Sequence, residues 1–371
     1  LAVSSLAPRR VCTGDALCDS PERADRRNFR AGVFAFFRGS RHFASALSCA
    51  LLIACARAPE PQYLSGATMG TTYHLTWLPE ESSPRSPALR EEVEAILERV
   101  DASMSTYRED SEIFRFNLAE VGEEIVVSDY FIKVFKISRM VRERSKGAYD
   151  VTVAPLVDLW GFGPGGGDGV PSDEAVAGAL GMVGESWVDV SPATNTIRKR
   201  RPLELDFSSV AKGYAVDLLA ERLGARGVRD YMVEIGGELR VAGSSPRGNA
   251  WRIAIERPAS GSDGIAAALS LHDAAVATSG DYRNFFELEG VRYSHSIDPR
   301  SGRPVRHALV SVTVVHPSAA AADAWATALT VLGPEDALRI ATEERLAAYL
   351  ISRAGEDFRA EKTPAIEAFL R

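Results

Sequence analysis

Beyond residue 55 the chain has no cysteine. All four, Cys12, Cys18, Cys49 and Cys55, lie in the first 55 of its 371 residues. The remainder therefore has no disulfide, no thiol nucleophile and no thiolate metal site. Histidine is sparse as well: there are six, with His42 and His74 in or near the N-terminal region. A zinc cluster has little to draw on, and any metal is expected to be held by oxygen. Positive charge is also short. The formal net charge is −7, and residues 1–54 hold eight Arg against four acids, leaving 35 basic and 46 acidic residues in the rest. Such a balance argues against a general nucleic-acid surface. Long apolar runs are missing too. "FASALSCALLIAC" is only about a dozen residues, too short for a permanent membrane span.

That run nevertheless carries information. Arg38 and Arg41 precede it and Cys55 ends it, a basic segment followed by a short apolar one, as in a signal peptide. The ending "LIAC" resembles the bacterial lipobox, which implies a lipid anchor at Cys55. A plain cleaved signal peptide is the alternative. Residues 1–30 are Arg-rich and patternless, and are expected to reflect a start codon placed too far upstream. The expected organisation is an upstream extension and lipoprotein-type signal peptide over 1–54, a tether over 55–64 and one domain over 65–371. The expected location is the bacterial cell envelope, on the periplasmic side of the inner membrane.

Hydrophobic periodicity supplies the elements. "TTYHLTW" alternates as a strand. "ALREEVEAILERVDASMS" and "SDYFIKVFKISRMVRERSKG" have helical spacing, the second with Ser128 as candidate N-cap. Strands are expected at "SWVDV", "TIRKR", "LELDF", "YMVEI", "LRVAG", "WRIAIE", "AAVATSG", "NFFELEGVRYSHSI", "LVSVTVV" and "AAYLIS". Helices are expected at "VAKGYAVDLLAERLGARG", "AAADAWATALTVLG" and "PEDALRIATEERL". Long strand runs with inserted helices and no regular βαβ rhythm favour an α+β fold.

Three segments are candidates for chemistry. "GFGPGGGDG" has no Lys-Ser/Thr after it and no immediate helix, so it reads as a loop tip rather than a phosphate cradle. In "ELDFSSVAKGYAVD" a strand is expected to run into a helix whose N-terminus, with Lys212 one turn in, suits a phosphate. A surface lysine and a structural Asp206 would give the same letters. "AADAWATAL" puts Asp323 and Thr327 on one helix face, hard oxygen donors that suit Mg²⁺. A capping acid and a threonine bonded to its own helix are the alternative.

Seven segments occur in one order: "MGTTYHLTW", "MSTYREDSEIFRFN", "GAYDVTVAPLVDLWGFG", "LDFSSVAKGYAVD", "EIGGELRVAG", "VATSGDYRNFFELEGVRYSHSIDPRSGRPV" and "ADAWATALTVLG". Together they resemble the FAD:protein FMN transferase, or ApbE, family over nearly all of residues 65–352. The resemblance implies an ApbE-like, T-fold-related α+β fold of mixed sheets with packed helices and an FAD cleft between two lobes. It implies transfer of the FMN half of FAD onto a Thr or Ser of an acceptor protein, forming a phosphoester and releasing AMP. FAD would be the substrate and Mg²⁺ the cofactor. On matching positions, Met69, Tyr107, Ala148, Tyr149, Asp150, Asp206, Lys212 and Ile297 would contact FAD. Asp323 and Thr327 would hold the metal through side chains, and Ser209 through its carbonyl.

Two letters depart from the family pattern. Ala326 stands where many members have a second acid before the metal-binding threonine, and Ser296 replaces an apolar residue in "SHSIDP". His295 is the candidate base, because an imidazole titrates near neutrality and can accept the hydroxyl proton; orienting the phosphate or the turn is its alternative role. Tyr107 and Tyr149 could bracket a ring or simply pack in the core. Arg283 and Arg300 are possible phosphate contacts, not both expected to be essential. Hydrolysis of FAD to FMN and AMP, and flavin storage without turnover, are the competing activities.

Overall fold

The alternation in "TTYHLTW" produces the expected strand, and a second one before it. In the computed structural model, which describes residues 60–80, 86–163, 166, 169–258, 264–280, 285–288 and 291–371, β1 (Gln62–Thr68) and β2 (Thr71–Trp77) form a hairpin. Its turn is Met69-Gly70, both at positive φ. Residues 62–64 of the expected tether thus belong to β1. The signal segment and Cys55 lie outside the described residues, as does Arg283.

Helices α1 (Ser86–Met104), α2 (Glu112–Leu118) and α3 (Asp129–Arg144) follow, with β3 (Ile125–Val126) between the last two. Ser128 caps α3 by accepting from the Phe131 N–H, satisfying one of the free donors at a helix start. Next come α4 (Ala154–Leu159), α5 (Asp173–Leu180), β4 (Val188–Ser191), β5 (Thr196–Lys199) and α6 (Ala211–Ala225). Strands β6 (Tyr231–Ile235), β7 (Glu238–Ala242), β8 (Trp251–Glu256), β9 (Ile265–Leu271) and β10 (Ala274–Gly280) succeed one another without a helix. Two small hairpins pair β11 (Phe285–Leu288) with β12 (Val291–Ser294) and β13 (Ile297–Asp298) with β14 (Arg303–Pro304). The chain ends with β15 (Leu309–His316), α7 (Ala319–Leu332), α8 (Pro334–Glu343), β16 (Ala347–Ala354) and β17 (Asp357–Lys362).

Two expectations are corrected. "LELDF" is extended but belongs to no sheet. Its neighbour is a side chain: Asn117 accepts from the Leu205 N–H and donates to the Leu205 carbonyl. The buried Leu203, Leu205 and Phe207 give the period-2 pattern without a partner strand. "NFFELEGVRYSHSI" is not one strand but the β11–β12 hairpin followed by β13.

An antiparallel eight-stranded sheet in the order β1-β2-β6-β7-β10-β15-β16-β17 organises the domain. Its strands are two-faced, as the pleat requires. Ala275 and Ala277 of β10 join the helical core, while Val276 joins the opposite cluster with Trp251 and Ile255 of β8. Helices α6 and α7 pack together over the first face. Gly213 makes their approach possible, because a Cβ there would sit 2.4 Å from the Ala319 carbonyl oxygen.

Asp217 of α6 fixes where α7 begins. Its carboxylate accepts from the Ala319 and Ala320 N–H groups, the Ser318 hydroxyl and Arg240 Nη1. A carboxylate there complements the positive end of α7 and satisfies its otherwise free donors. Asp217→Ala is expected to cost about 3 kcal/mol, because it strands buried donors at a helix start; urea unfolding measures this.

Candidate active site

A cleft of about 720 Å³ opens where the helical core meets the end of the large sheet. Its floor is the α6–α7 contact. Every residue of α7 from Ala319 to Val331 is buried except Thr327, which lines the cleft one turn after Asp323. The alanine-rich sequence thus brings the helix backbone close while leaving one carboxylate and one hydroxyl at the opening.

Lys212, in the first turn of α6, lies between two carboxylates. Its Nζ is 3.1 Å from Glu238 Oε2 and 3.9 Å from Asp323 Oδ2. The Gly213 N–H donates to Asp323 at 3.2 Å, so the same glycine that permits helix contact also anchors the acid. Burial raises the Asp323 carboxyl above the ordinary range, with Lys212 opposing. Glu238 is pushed up to about 8, by burial first and by repulsion from Asp323 second. Desolvation pulls Lys212 down, but the two acids outweigh it and hold its ammonium at about 12. One lysine cannot neutralise two buried carboxylates, so the pocket favours further positive charge.

Raising the pH should expose this imbalance. Glu238 binds its proton more tightly when folded, so its stabilising contribution is present below 4.5 and lost as the pH rises towards about 8. The melting temperature of the ligand-free protein is expected to fall across that window, and Glu238→Gln is expected to flatten the slope.

Above this floor the walls differ. The lining includes Tyr107, 76% exposed, Phe162 and His295; the Phe162 and His295 rings are 6.4 Å apart, edge to face. His295 follows β12 directly, and Ile297 behind it packs with Leu156, Trp160 and Tyr293. The Asp298–Gly302 turn closes on the Asp298 carbonyl, which accepts from the Gly302 N–H at 2.8 Å. Trp160 Nε1 donates to the Gly302 carbonyl. The turn thereby fixes the segment that carries His295. Arg300 forms a fork with Asp298 and does not line the cleft.

Of the residues singled out from the sequence, His295, Tyr107, Asp206, Lys212, Ile297, Ser209, Asp323 and Thr327 line this one cleft. Met69, Ala148, Tyr149 and Asp150 do not. Met69 sits on the β1–β2 turn, and next to that turn the Gly236 N–H donates to the Thr72 carbonyl. Tyr149 is buried behind the cleft, its hydroxyl accepting from Ser209, and burial raises its phenol pKa. Asp150 is committed to structure: it accepts from Thr152, Arg142 and the Glu185 N–H. Asp206 forms a turn of its own, accepting from the Ser208 N–H and hydroxyl. Among the described residues no group of three or more His, Cys, Asp or Glu is placed to hold a metal.

Sequence reasoning missed Glu238. It follows Gly236 and Gly237, both at positive φ, in a segment that reads as a turn, and its partner Lys212 lies on another element. Ala326, by contrast, is wholly buried. The second carboxylate beside Lys212 comes from β7 rather than α7.

Known proteins resemble this chain over most of its length. The ApbE family profile matches residues 69–350. A Vibrio cholerae protein named FAD:protein FMN transferase is 41% identical over 333 residues, covering 89% of this chain and 99% of its own. An Escherichia coli K12 protein of the same name is 38% identical, covering 84% and 90%. The crystallised Vibrio cholerae flavin transferase superposes with a TM-score of 0.78 at 40% identity, over 84% of this chain and 99% of that one. The apo flavinyl transferase of Pseudomonas stutzeri gives the same TM-score at 41% identity, over 83% and 96%.

Proposed function

The chain belongs to the ApbE family, and from that membership we propose that it is an FAD:protein FMN transferase. It moves the FMN half of FAD onto a threonine or serine hydroxyl of an acceptor protein, forming a phosphoester and releasing AMP. The observation that carries this reading is the convergence of Lys212, Asp323, Thr327 and His295 on one cleft.

Transfer of a phosphoryl centre requires alignment and charge neutralisation more than covalent help from the protein. The N-terminus of α6, which has no side-chain cap and no acid in its first turn, turns the positive end of its dipole to the pyrophosphate. Lys212 adds a full charge beside it. His295 takes the proton of the attacking hydroxyl. Tyr107 and Ile297 bound the space for the ring systems, and Tyr149 holds Ser209 from behind.

Mg²⁺ fits the donors present. Asp323 and Thr327 would bind it through side chains and Ser209 through its carbonyl, with Glu238 adding negative charge nearby. So few protein donors suit an ion that keeps positions for water and phosphate oxygens. When bound, it supplies electrostatic stabilisation of the diphosphate. The buried, undercompensated acids support this assignment.

Location is part of the same proposal. The basic-apolar-"LIAC" pattern supports export and lipid anchoring at Cys55, facing acceptors on the periplasmic side of the inner membrane. No helix among the described residues is long and apolar enough to cross a membrane. The activity is tested by comparing AMP released with FMN gained by the acceptor: equal amounts, abolished by EDTA, are expected. AMP release without acceptor labelling would replace the reading with hydrolysis.

A further inference from the structure

The cleft has a second arm that the flavin-transfer chemistry leaves unused. Its lining includes Ile253, Ala254, Ile255 and Glu256 of β8, and Thr278, Ser279 and Gly280 of β10. Successive strand residues point to opposite faces. Four consecutive β8 residues in one wall therefore mean that the arm runs along the edge of the strand.

The hydrogen-bond register identifies what that edge offers. Ser270 donates to the Phe369 carbonyl, and the Ala268 carbonyl accepts from Arg371, so the C-terminus covers the outer side of β9. In an antiparallel ladder the N–H and C=O of one residue point the same way. Ala268 and Ser270 therefore face away from β8. Their register partners Ala254 and Arg252 face away from β9, and Ala254 directs both main-chain groups to the cleft side. Neither group has a hydrogen bond among the described residues. Among the described residues β10 contributes a second open edge: it pairs with β7 only at Ala274–Val276 but continues beside β15 to Gly280.

We propose that this arm seats the acceptor protein, as an extended segment that hydrogen-bonds to the β8 edge at Ala254 and delivers its hydroxyl to Lys212, Asp323 and His295. The inference rests on the flavin-transfer reading and names how its protein substrate is held. Strand edges recognise peptide main chain, whereas aromatic walls such as Tyr107 and Phe162 suit the rings of a dinucleotide. Ile253, half-buried, and Ala254, exposed, line the cleft and give the segment apolar surface beside the main-chain groups. The arm is continuous with the centre where that hydroxyl must react.

The test uses the full chain and the acceptor protein of the Vibrio cholerae relative. Hydrogen exchange should show residues 251–256 protected when acceptor is added without FAD. Ala254→Pro removes an N–H directed away from the β8–β9 ladder and fixes φ at a position where an edge strand tolerates proline. It is expected to raise the acceptor KM by about tenfold, the equivalent of one lost hydrogen bond, with FAD affinity unchanged. Wild-type acceptor KM in the variant, or absence of protection at 251–256, would overturn the docking strand. Protection of 251–256 by FAD alone, or weakened FAD binding in the variant, would assign the arm to the dinucleotide instead. If the wild-type protein labels no acceptor, it is the functional reading that fails.

Discussion

Asp323→Asn is expected to reduce FMN transfer by about 10³-fold while leaving the melting temperature of the ligand-free protein unchanged or raised. The two effects separate because the carboxylate serves the reaction and not the fold. Asp323 is buried, and burial already disfavours its charged form. Asparagine keeps an acceptor for the Gly213 N–H, removes the repulsion that raises Glu238, and leaves Lys212 paired with Glu238 at 3.1 Å. Buried ionic groups commonly cost stability that function retains. Calorimetry and steady-state transfer rates on the same preparation measure both. A large stability loss with an equal loss of activity would make Asp323 structural.

His295→Ala is expected to lower kcat by about 10²–10⁴-fold, the range for loss of a general base, with FAD affinity kept within about twofold of wild type. The imidazole lines the cleft beside Phe162, while the neighbouring hairpin is held by bonds that do not involve it: Trp160 to Gly302 and Val305 to the Ser296 carbonyl. The strand should therefore keep its place when the ring is removed. The pH profile adds a readout that loss of packing would not give, because the variant should lose the acid limb of the wild-type rate. Unchanged transfer with normal FAD affinity would remove the base role and leave His295 as an orienting group.

Much of this site is visible in the sequence because its parts are local. The i, i+4 spacing of Asp323 and Thr327, the alanines around them and Lys212 at a helix start all depend on neighbours within a turn. What escapes is tertiary. Glu238 becomes a site residue only when β7 is brought against α6, and Asp217 caps a helix about a hundred residues away. "LELDF" alternates like a strand because one side faces the core, yet its main chain is bonded by Asn117 at Leu205, by Lys199 at Leu203 and by the Val151 carbonyl at Asp206. Tyr149 and Asp150, implied as ligand contacts by the resemblance, lie behind the lining, where they bond Ser209 and Thr152. The open β8 edge is the most hidden feature, since it depends on the C-terminal residues covering the other side of the hairpin.

The central claim is that one cleft aligns FAD with a protein hydroxyl. It is tested most directly by the intact mass of the acceptor protein after incubation with the purified protein, FAD and Mg²⁺. The account predicts a gain of one FMN per acceptor, on a threonine or serine, with one AMP released for each. An acceptor of unchanged mass, with FAD bound or cleaved to free FMN, would contradict it.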